Sequence, residues 1–144
     1  MSFRTTGDFI VISGLATRVH IAYKDAPDYY RHISEEAATL KLLIDKVAPH
    51  FKGTSISSKD RHYGQTVLKG CQGVLEDLNS FIERYKRIAS MNRRLVLNRV
   101  TLGKDITAIQ VRLISNTVLL NGFVRRCVIH LMNPMDINIS SIQL

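Results

Sequence analysis

From Gln65 to Ile88 the apolar residues fall at Val67, Cys71, Val74, Leu78, Ile82 and Tyr85, a 4-3-4-4-3 spacing widened by Leu68, Leu75 and Phe81. Lys69, Glu76, Asp77, Glu83, Arg84, Lys86 and Arg87 take the opposite face. This is the signature of an amphipathic helix with one side buried against other helices. It predicts a helix that begins between Ser58 and Gln65 and runs to about Ser90, with the rest of the chain packed around it.

Three further stretches repeat the pattern. Phe9, Ile12, Ala16, Val19 and Tyr23 step by three and four, thickened by Ile10, Leu15 and Ala22. Asp8, after Gly7, is placed to cap that helix. Pro27 stops it near Asp25 or Ala26, because the residue before a proline avoids the helical region. Asp28 opens the next helix, whose stripe is Tyr30, Ile33, Ala37, Leu40, Ile44 and Val47, with Leu43 beside it. Ser34, Glu35 and Glu36 are expected to face water there. Pro49 ends or kinks this helix, and Phe51 to Lys59, with Gly53 and three serines, reads as a loop.

Residues 91–103 fit either a helix or an ordered loop, with Gly103 and Asp105 suggesting a fresh start. The last helix shows two stripes. Ile106, Ile109, Leu113, Thr117, Leu120 and Val124 form one; Val111, Ile114 and Val118 form the other. Such a helix is either buried on two sides or lies at an oligomer interface. Pro134 closes it, and the tail from 134 to 144 is expected to be irregular. Four long amphipathic helices with short connections make an all-α antiparallel bundle, here one domain over residues 1–133.

Composition narrows the setting. With 144 residues, 45% of them apolar, the chain holds enough for a core without disulfides or metal. Its two cysteines, Cys71 and Cys127, lie inside apolar patterns and read as buried thiols. The apolar run Phe9–Leu15 is far shorter than the roughly 20 residues that span a bilayer, and it lacks the flanks of a secretory signal. A cytoplasmic protein is expected, with a first helix able to touch a membrane.

The formal charge of +8 is concentrated late: residues 89–133 carry Arg93, Arg94, Arg99, Lys104, Arg112, Arg125 and Arg126 against Asp105 alone. A basic face of this kind attracts anionic lipid, nucleic acid or an acidic protein, or is simply a solvated surface. Arg93, Arg94, Arg99, Arg125 and Arg126 are the candidate anion contacts. Few aromatics accompany them, and neither helix-turn-helix nor zinc spacing is present, so nucleic acid is disfavoured.

Catalytic signatures are missing from the sequence. There is no phosphate-binding glycine loop, zinc-protease helix or nucleophile elbow. His20, His32, His50, His62 and His130 are scattered without partners at ligand spacing. Glu35–Glu36 and Glu76–Asp77 are neighbours in sequence, so their side chains diverge on a helix. A protein that is not an enzyme, with no cofactor, metal or small-molecule substrate, is expected.

Several stretches together resemble the HeLo-like N-terminal domains of fungal signalling proteins. They are MSFRTTGDFI, AYKDAPDYYRHISEEAATLKLLI, KGCQGVLEDLNSFIERYKRI and GKDITAIQVRLISNTVLLNGF. Gly7-Asp8-Phe9, the Lys24-Asp25-Ala26-Pro27 corner, and Cys71 with Val74, Leu75 and Leu78 carry most of the likeness. Departures are Arg4-Thr5-Thr6 at an opening that is often apolar, and no Trp before the last helix. The resemblance implies an effector domain in cell-death or incompatibility signalling that oligomerises and moves to the membrane. Phe3, Phe9, Ile10, Ile12 and Leu15 are then the candidate membrane contacts; the two-faced pattern of the last helix makes Val111, Ile114 and Val118 the candidate oligomer interface. A protein-interaction or dimerisation domain without membrane activity is the alternative.

Overall fold

The computed structural model describes residues 6–25, 30–51, 56–91 and 95–131, with side chains over 8–25, 30–51, 56–87 and 106–129. Among these residues the chain is a bundle of four α-helices: α1 Thr6–Lys24, α2 Arg31–Val47, α3 Ser58–Met91 and α4 Leu95–Leu131. A 3-10 turn, Ala48–Phe51, follows α2 where Pro49 removes the backbone donor that a continuing α-helix needs. The tail beyond residue 131 lies outside the described residues.

Each helix buries one expected stripe, while the second stripe of α4, Val111, Ile114 and Val118, lies exposed rather than buried on a second side. Phe9, Ile12, Ala16, Val19 and Tyr23 of α1 are buried, as are Ile33, Ala37, Leu40, Ile44 and Val47 of α2. The α3 stripe from Val67 to Ile82 meets Ile106, Leu113, Leu120 and Val124 of α4. α1 packs on α2 and α3, and α4 packs on α3 and α2. The ring order is therefore α1–α2–α4–α3, with α1 and α4 on diagonal corners. The link from α2 to α3 joins the other diagonal.

Aromatic clusters close both ends of the core. Phe51 lies 5.2 Å from Phe9 and 5.9 Å from Phe123, centroid to centroid, with Tyr63 against Phe123. At the far end Tyr30 meets Tyr23, Phe81 and Tyr85. Gly64 makes the first cluster possible: a Cβ there would stand 2.4 Å from Phe123 Cζ and 2.8 Å from Phe51 Cζ. Gly14 on α1 has nothing within 4 Å of such a position. Gly64→Ala is expected to cost about 1–3 kcal/mol by overpacking, whereas Gly14→Ala gains up to about 1 kcal/mol of helix propensity. Urea denaturation of the two variants should show opposite shifts in midpoint.

Three details differ from the sequence reading. α1 begins at Thr6, so Asp8 lies in its first turn, where a carboxylate suits the helix dipole, rather than capping it. α4 begins at Leu95, which makes helix of most of the 91–103 stretch and gives α4 37 residues, about 55 Å at the usual rise. Ser34, expected to face water, is buried. Its hydroxyl donates to the His20 carbonyl at 2.8 Å, and the His20 Nδ1–H donates back to the Ser34 carbonyl at 2.9 Å. The carbonyl can only accept, so this geometry places the ring proton on Nδ1. Reciprocal bonding satisfies the hydroxyl, and a small polar residue can then occupy a core position.

Candidate association surfaces

Polar contacts join α1 to its neighbours. Ser13 Oγ donates to Asp45 Oδ1 at 2.8 Å, His20 and Ser34 pair as above, and Tyr23 Oη donates to the Leu78 carbonyl at 2.9 Å. The first two anchor α1 to α2 and the third to α3. With Phe9, Ile12, Ala16 and Val19 in the core, the inner face of α1 is fully engaged. Phe9 and Ile12, two of the candidate membrane contacts, are therefore core residues, and Leu15 is partly buried against them. Phe3 lies outside the described residues. Ile10 is on the other side of the helix, 66% exposed. Val11 and Ile21 share that outer surface, so α1 presents an apolar ridge to solvent.

α4 shows the same division on a larger scale. Leu113, Thr117, Leu120 and Val124 face inward, and the buried Thr117 hydroxyl is satisfied by the Leu113 carbonyl at 2.7 Å. Val111 is 59% exposed and Val118 65%, with Ile114 between them also exposed. Leu119, Val128 and Ile129 extend the patch. These three were missed in the sequence, although Val128 and Ile129 continue the spacing that picks out Val111, Ile114 and Val118. Other exposed apolar side chains, Leu42 on α2 and Tyr63 on α3, stand singly.

The cations divide into paired and open groups. Arg112 Nη1 lies 2.6 Å from Asp77 Oδ2 across the α3–α4 seam. Arg126 reaches Asp60 at 3.4 Å and stacks over the Tyr63 ring at 5.3 Å, which ties it to the start of α3. Arg125 is exposed. Arg93 and Arg94 lie outside the described residues, and Arg99 lies on α4 without a described side chain. An open groove of about 550 Å³ runs between α3 and α4, lined by Asp77, Phe81, Arg84 and Arg87 of α3 and by Ala108 and Ile109 of α4. Arg84 lies over the Phe81 ring at 5.7 Å.

The cysteines are shielded. Burial pushes the Cys71 thiol up to about 12. Cys127 is raised as well, by burial first and by Asp60 second, with Arg126 opposing. A thiol held protonated is a poor nucleophile. Among the described residues no group of three His, Cys, Asp or Glu side chains could hold a metal ion. No helix among them is long and apolar enough to cross a membrane. Comparison with known protein families, curated proteins and solved structures finds no match to this chain.

Proposed function

We propose that this protein is a non-enzymatic effector module that acts by oligomerisation through its helix faces, in signalling of the kind the HeLo-like resemblance implies. The outer face of α4 carries this reading. Six large apolar side chains, all exposed, lie on one helix of a bundle whose core is already complete without them. Exposed apolar surface concentrated on one helix in this way is the mark of an association site in a folded protein.

Light scattering on the purified chain tests it. The wild type is expected to exceed monomer mass at tens of micromolar, and Val118→Glu to run as a monomer with unchanged helicity and melting temperature. Val118 is 65% exposed, so the substitution leaves the core intact. A wild type that stays monomeric at about 100 µM overturns the proposal.

Membrane association is a second reading, supported by the α1 ridge of Ile10, Val11 and Ile21 with Arg18 and Lys24 on the same helix. Apolar contact combined with cations gives reversible attachment to anionic bilayers. Co-sedimentation with anionic vesicles that is lost in Ile10→Asp, and absent with neutral vesicles, is the expected result.

A further inference from the structure

We draw no further inference here: the strongest candidate, the exposed apolar face that Val111, Ile114 and Val118 form on α4, belongs to the association surface already described, and nothing in the structure shows what covers it.

Discussion

Ile12→Asp is expected to leave no folded protein, while Ile10→Asp, two residues away, folds like the wild type. Ile12 has no solvent exposure and lies in the core with Phe9 and Ala16. Truncating a buried aliphatic side chain costs about 2–5 kcal/mol. An unpaired buried carboxylate adds several more, or titrates to its neutral form and still leaves a polar group unsatisfied. A total above about 5 kcal/mol equals much of the 5–15 kcal/mol that holds a domain folded. Ile10 is 66% exposed, so a charge there stays in water and shifts stability by about 0.5 kcal/mol at most. Circular dichroism and thermal melting check the contrast. A native melt for Ile12→Asp would mean that α1 is not docked as described. The contrast also decides how membrane contact is tested: lost vesicle binding in Ile12→Asp would report unfolding, whereas the same loss in Ile10→Asp reports contact.

This pair shows where the sequence is legible. The apolar run Phe9 to Leu15 reads as one segment on composition, yet helical geometry divides it. Phe9 and Ile12 point inward, while Ile10 and Val11 point out. The 3.6-residue period carries that information and composition does not. The same period places Ser34 one turn after Tyr30, on the buried side; its polar character suggested solvent, and the His20 carbonyl that satisfies it is 14 residues away. Helices α2 and α3, with sharply separated faces, are plain in the sequence, as is the stripe on α4 that packs inward. The start of α4 is not, because Leu95, Val96, Leu97 and Val100 interleave with cations and give no single face. Nor is the ring order of the helices, since no residue pattern says which corners a connection joins. The outer face of α4 was partly legible: Val111, Ile114 and Val118 stand out once the inner stripe is assigned, and the patch beyond them follows from continuing the count.

Raising the pH from 9 to 11 is expected to strip about 2–3 kcal/mol of stability through Cys71 alone, at about 1.4 kcal/mol per pH unit for one linked proton. Cys71 is completely buried, and burial holds its thiol protonated up to about 12, against an ordinary value of 9.0. Above pH 9 the unfolded chain releases this proton and the folded chain keeps it. Folded protein then binds more protons than unfolded, so stability falls as pH rises, is fully present below about 9, and is gone once the folded thiol ionises. Tyr23 acts in the same direction from about pH 10. Burial is the larger cause of its raised value and the nearby Tyr30 the second, while its hydroxyl is committed to the Leu78 carbonyl. Urea midpoints measured at pH 8, 9, 10 and 11 give the profile. Cys71→Ala isolates its share: the variant loses packing at every pH and should decline less steeply than the wild type between pH 9 and 10, keeping the part that the buried Cys127 thiol contributes there and the later decline that Tyr23 imposes. If wild type and variant decline in parallel across that interval, the thiol is not buried in the folded state, and the α3 stripe around which the core is described does not pack as stated.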